Sequence, residues 1–123
     1  PDRVACSGAV RARQTLERML KVFGDHPKVE YRQTLYDGGM QAVFDELANA
    51  KEDPVLMVLG HEPTVSVSCQ WLASSDSDMV KLDLLNLGMS TASVVVFGSD
   101  QPFSRWQVHD AELLAVLSPK DFD

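Results

Sequence analysis

The stretch Arg3-Val-Ala-Cys-Ser-Gly-Ala-Val-Arg-Ala-Arg-Gln-Thr15 decides the fold class of this chain. Its first four residues are a short, largely apolar run, and Ser7-Gly8 ends that run with a turn. Beyond the turn, Leu16, Met19, Leu20 and Phe23 recur at helical spacing, and Gly24 and Pro27 supply stop signals. A helix is therefore expected over residues 9–23. The same passage from strand through turn to helix returns at Val55-Leu-Met-Val-Leu-Gly-His-Glu-Pro-Thr64. There the uninterrupted apolar run 55–59 suits a central strand covered on both faces, and Thr64 caps a helix carrying Val65, Cys69 and Leu72. Repeated strand-turn-helix units are the signature of an α/β sheet.

Working outward, residues 28–31 read as a second strand and Asp37-Gly-Gly39 as a turn. Met40, Val43, Phe44 and Leu47 line one face of a helix that is expected to end near Lys51, before Pro54. Residues 74–78 read as a polar surface loop, and residues 79–87 suit helix and strand equally. Residues 93–97 and 105–108 resemble a hairpin through a 98–102 turn, with 113–117 alongside. The first half alternates strand and helix while the last third is strand-rich. This pattern predicts a three-layer α/β/α architecture around a mostly parallel mixed sheet with an antiparallel edge. The 123 residues contain no linker or repeat, so one domain over 1–123 is expected.

The net charge of −7 excludes broad binding to a nucleic-acid backbone, which requires a basic stripe. No apolar run of membrane-spanning length occurs, and no membrane partner is expected. Cys6 and Cys69 lie in apolar stretches without zinc-site spacing and read as buried thiols, which suits a reducing cytoplasm. An acidic chain that binds an anion must overcome its own field with a few focused donors, and this singles out the cations near the two junctions.

Helix starts beyond the carboxyl ends of parallel strands present backbone N–H groups to anions. Arg11 falls in the first helical turn after Ser7-Gly8, and its guanidinium can grip two phosphate oxygens in parallel. Arg13, two residues on, points to another helix face, so at most one of the two arginines serves a central ligand. His61 follows an apolar strand through a single glycine and projects beyond the strand end, where an imidazole can meet a transferring phosphoryl group. His26 and His109 sit in surface turns. A cysteine phosphatase loop requires Cys-x-x-x-x-x-Arg, but four residues separate Cys6 from Arg11 and six separate it from Arg13. Phosphate-loop, nucleophile-elbow and zinc-helix motifs are also absent.

Together, Ser7-x-x-x-Arg11-Ala12-x-Gln14-Thr15 and Gly60-His61-x-Pro63 resemble the histidine phosphatase superfamily, and most closely its small SixA-type phosphohistidine phosphatase branch. The resemblance runs from the Val4 strand through Leu35-Tyr36-Asp37 to Leu117-Ser-Pro-Lys120. It implies a phosphoglycerate mutase-like fold and a phosphatase acting on a phosphorylated protein or a small phosphate compound, with phosphohistidine the first expectation and no cofactor or metal. By the same carry-over, Arg11 and His61 are catalytic and phosphate-binding, Ser7 adds to the phosphate site, and Tyr36 or Asp37 is a rim residue or general acid. Glu62 stands where the branch often has Asn. The family's nucleophile is a histidine in an Arg-His-Gly or Arg-His-Ala motif on the first strand, and none of the three histidines here has that context. A strand and helix bearing it are expected upstream of Pro1. The alternative is a non-catalytic phosphate- or partner-binding domain; a third reading is an unrelated flavodoxin-like domain.

Overall fold

The computed structural model describes residues 1–24, 26–50 and 54–122. The chain divides into two compact units, Pro1–Val65 and Ser66–Asp123. The first contains β1 (Arg3–Ser7), α1 (Val10–Leu20), β2 (Lys28–Arg32), α2 (Thr34–Asp37), α3 (Gly39–Asn49) and β3 (Leu56–Leu59). Its three strands form a parallel sheet in the order β2-β1-β3.

Alternation along β1 builds two cores from one strand. Val4 and Cys6 face α1, where they pack with Ala12 and Leu16 and with the partly buried Leu20, Val29, Met57 and Leu59. Ala5 faces the other way and packs with Leu35 of α2, Ala42 and Val43 of α3, and Val58. Helices on both faces of a parallel sheet are the α/β/α layering expected from the sequence. Ala12, Leu16 and Leu20 recur every four residues and form the buried stripe of α1, leaving Arg11, Arg13, Gln14 and Thr15 in solvent. Arg3 and Arg32 both pair with Glu30, the latter at 2.6 Å, and Arg32 also reaches Glu46 at 3.3 Å, which ties the two strands to α3.

Two expectations for this unit change. The central strand is β1, whose last four residues are buried, whereas every residue of β3 is half-buried at the sheet edge. An apolar run reports how its faces are covered and says nothing about how many of its edges are paired, so 55–59 reads the same in either position. Helix α1 stops at Leu20, short of Phe23. Val22 and Phe23 both donate to the Met19 carbonyl in a loose final turn, and Gly24 takes a left-handed φ of 50°. The helix end expected near Lys51 lies outside the described residues; α3 is capped at Ala50.

Cys6 is fully buried. Burial pushes its thiol above the ordinary value, and the charge of Arg13 opposes this only in part. A folded-state value above the unfolded one means that the unfolded chain loses its proton first. Stability contributed here is complete below the ordinary thiol range and falls as pH rises through it. Urea midpoints are expected to decline above roughly pH 8.5, and Cys6→Ala should flatten that decline.

The second unit contains most of α4 (Thr64–Leu72), then α5 (Met79–Asn86), β4 (Val94–Gly98) and β5 (Glu112–Leu117). Residues 79–87 settle as helix because Asp78 caps it, accepting the Lys81 N–H at 3.1 Å, while Leu85 is buried on a helix that packs on β5. The antiparallel partner of β4 is β5, paired from Val94 with Leu117 to Gly98 with Glu112. Residues 105–108 form no strand. Pro102 leads into a 3-10 turn at Phe103–Arg105, where the Trp106 N–H donates to Phe103 and its indole donates to Gln101, so these donors are satisfied locally.

The 74–78 loop is less exposed than its polarity suggests. Ser74 and Ser77 are buried, their hydroxyls lie 2.8 Å apart, and the Ser77 oxygen accepts the Leu113 N–H at 3.0 Å. A serine tolerates such burial when its hydroxyl is fully engaged. Ser77→Ala is expected to leave a buried backbone donor without a partner and to cost about 1–3 kcal/mol in a urea titration.

Candidate active site

Parallel pairing brings the two strand-helix junctions to one end of the first unit. The register aligns Cys6 with Leu59, so Ser7 and the Gly60-His61 turn leave the sheet side by side. Helix α1 starts two residues after Gly8, which puts the exposed Arg11 on its first turn at this same end. Side-chain alternation sends Ser7 to the face of Ala5, where α2 packs against β1.

The closest polar contact in the cluster is 2.7 Å between His61 Nε2 and Ser7 Oγ. Ser7 is fully buried, and its oxygen also accepts the Ala9 N–H at 3.2 Å. The Tyr36 ring meets the imidazole at a centroid distance of 5.1 Å, tilted by 55°. His61 is half-buried, while Tyr36 is 57% exposed and leaves the imidazole with one wall and an open side. The His61 carbonyl accepts the Val65 N–H at 3.0 Å and so anchors the turn to the start of α4.

The structure therefore brings Ser7 and Tyr36 each against His61. Arg11 is exposed on the first turn of α1, with its own carbonyl accepting the Thr15 hydroxyl at 3.0 Å. Arg13 is committed elsewhere: its guanidinium lies 4.3 Å from the centre of the Tyr31 ring on β2. Asp37 is exposed at the end of α2 and accepts from the Gln33 amide at 3.2 Å. Glu62, joined to Pro63 by a cis peptide, is also exposed. Ser7, expected beside phosphate, spends its hydroxyl on His61 and Ala9. The spacing of a motif identifies residues at a strand end but carries no signal of which neighbour a short side chain will meet, and the Ser7 to His61 bond was missed for that reason.

The second unit holds a concavity of about 830 Å³ lined in part by Asp76, Asp100, Asp110 and Glu112. Four carboxylates repel an anion, so it does not compete as a phosphate site. His109 at its edge donates from Nδ1 to the Ala73 carbonyl at 3.0 Å and stacks on Trp71.

Comparison with solved structures then gives the fold its place. A candidate phosphohistidine phosphatase SixA from Nakamurella multipartita superposes with a TM-score of 0.82 at 28% identity, covering 96% of this chain and 70% of that one. The chain has the SixA, phosphoglycerate mutase-like fold. Two further SixA structures agree on the fold: one from Agrobacterium tumefaciens, with a TM-score of 0.75 at 21% identity over 97% of this chain and 68% of that one, and a protein histidine phosphatase complexed with tungstate, with a TM-score of 0.73 at 19% identity over 98% and 70%. Among curated sequences, an uncharacterized Mycobacterium leprae protein is 27% identical over 120 residues, covering 97% of this chain and 72% of its own. Uncharacterized proteins from two Mycobacterium tuberculosis strains are each 33% identical over 97 residues, and the match covers 77% of this chain and 59% of theirs. No protein-family model matches. Among the described residues, no helix is long and apolar enough to cross a membrane.

Proposed function

We propose that residues 1–123 form one histidine phosphatase-like domain that supplies the phosphate-holding part of a phosphatase acting in the cytoplasm on phosphohistidine in a protein substrate. The observation that carries this reading is the contact of His61 with Ser7, the last residue of β1, whose hydroxyl also takes the N–H of the α1 N-cap Ala9, at the carboxyl end of two parallel strands, where anions collect in α/β sheets. The SixA-like fold supports the reaction class.

In this reading the nucleophile is a histidine on a strand upstream of Pro1. The apolar, half-buried edge strand β3 is a suitable neighbour for such a strand. Its ring nitrogen attacks phosphorus in line, a nitrogen–phosphorus bond forms, and the bond to the leaving group breaks. Arg11 and His61 neutralise the phosphoryl oxygens as charge shifts between them, and Tyr36 or Asp37 borders the leaving group. Water then attacks the phosphoenzyme, which releases phosphate and restores the imidazole.

Rapid quench of the full-length protein with radiolabelled phosphohistidine peptide tests the reading. An acid-labile, base-stable phosphoenzyme that forms and decays at the turnover rate is the expected result. Phosphate binding without turnover or a trapped intermediate would overturn it in favour of the non-catalytic binding domain.

A further inference from the structure

The phosphatase reading leaves one short contact without a task. Ser7 has no exposed surface, so its hydroxyl cannot reach a substrate without a rearrangement of the strand end, yet it lies 2.7 Å from the imidazole assigned to the phosphoryl group. The hydroxyl has one proton to give and two lone pairs with which to accept. One lone pair takes the Ala9 N–H at 3.2 Å, a bond that fixes Oγ against the start of α1. Its other partner is His61 Nε2. Among the described residues, no buried side-chain nitrogen or oxygen lacks a hydrogen-bond partner.

We infer that Ser7 is a positioning residue that selects the tautomer of His61 by donating its hydroxyl proton to Nε2, so that Nδ1 carries the ring hydrogen. The catalytic consequence rests on the phosphatase reading; the tautomer itself does not. With Nε2 as acceptor, the buried Ser7 proton is satisfied and Nδ1–H is a donor available to a phosphoryl oxygen. With the opposite tautomer, Nε2–H donates to an oxygen that already accepts from Ala9, the Ser7 proton loses its partner, and Nδ1 presents a lone pair to an anion. A buried hydroxyl left unsatisfied is disfavoured, and this selects the first state.

The geometry also fixes the ring. An imidazole rotates between two broad orientations about its terminal torsion, and only one of them keeps Nε2 on Ser7. The tilted Tyr36 ring walls one side of the imidazole without competing for either nitrogen.

Long-range proton–nitrogen NMR of the full-length protein, with His61 assigned by signal loss in His61→Gln, reads the tautomer directly. The expected neutral-state spectrum has a protonated Nδ1 and an unprotonated, hydrogen-bonded Nε2. A neutral His61 protonated at Nε2 would overturn the inference whether or not the protein is a phosphatase. In Ser7→Ala, the two nitrogen signals should move toward the average of mixed tautomers. With phosphohistidine peptide, kcat should fall by about 2- to 10-fold, the loss that follows from removing one orienting hydrogen bond, while KM changes little. Ser7→Thr, which keeps the hydroxyl, should restore the wild-type nitrogen pattern. Unchanged His61 signals in a folded Ser7→Ala protein overturn the proposal. If Ser7→Ala fails to fold, as judged by circular dichroism, the wild-type spectrum alone decides. Absence of turnover in the wild-type protein, with the expected tautomer present, removes the phosphatase reading and leaves the role of Ser7 standing.

Discussion

Replacing His61 or Arg11 by alanine in the full-length protein is expected to lower kcat/KM for phosphohistidine peptide or an aryl phosphate by about 10²–10³-fold each, equivalent to ~2.7–4 kcal/mol of transition-state stabilisation. Each side chain is assigned to oxygens whose charge changes as phosphorus passes from leaving group to nucleophile. Interactions that strengthen at that point appear in kcat more than in KM. Arg11→Lys should recover only part of the loss, because an ammonium keeps the charge but lacks the planar fork that holds two oxygens in parallel. Both residues serve one phosphoryl group, so the double variant should lose less than the product of the single losses. Arg11 is exposed and lies outside the buried clusters, so the Arg11→Ala melt should remain near wild type, whereas His61→Ala leaves the buried Ser7 hydroxyl without its acceptor and should cost about 1–3 kcal/mol of stability. Wild-type turnover by the double variant would remove the assignment.

The largest stability effect is expected at Leu16. It is fully buried on the face of α1 that meets Val4 and Cys6, and it shares that cluster with Ala12. Truncation to alanine removes the transfer free energy of the side chain and leaves a cavity that a backbone held in strand and helix cannot close. The cost is about 2–5 kcal/mol. Domains of this size are stable by only about 5–15 kcal/mol, so the urea midpoint should drop sharply. Leu16→Met, which conserves volume, should cost less than about 1.5 kcal/mol. Equal midpoints for the two variants would show that the α1 face contributes little to the core. The substitution also tests the link from packing to function, because α1 carries both Arg11 and Leu16.

Periodicity identified most elements because burial on one face leaves a regular trace. The helical spacing of Leu16, Met19, Leu20 and Phe23 and the Met40 to Leu47 stripe predicted helices α1 and α3, whose buried residues proved to be Ala12 and Leu16 in one and Ala42, Val43 and Leu47 in the other. Residues 105–108 misled because an apolar-polar alternation is also compatible with a 3-10 turn whose indole and backbone donors are satisfied nearby. Ser74 and Ser77 misled in the opposite sense: polarity suggested a surface loop, but paired hydroxyls made burial acceptable.

At the site, Arg11 and His61 were readable because a strand-turn-helix junction is a local feature, set by a few consecutive residues and their turn chemistry. The sequence by itself determined the α/β class, the two junctions and the absence of a cysteine phosphatase loop, all of which depend on composition and short-range spacing. Tertiary structure alone decided that β1 is the middle strand, that Arg13 turns to Tyr31, and that Ser7 meets His61 across 54 positions of chain. Strand register and edge pairing arise from backbone hydrogen bonds common to every residue, so they leave little mark on residue identity. Which nitrogen of His61 faces a buried hydroxyl is a consequence of that register, and it exists only once β1 and β3 lie side by side.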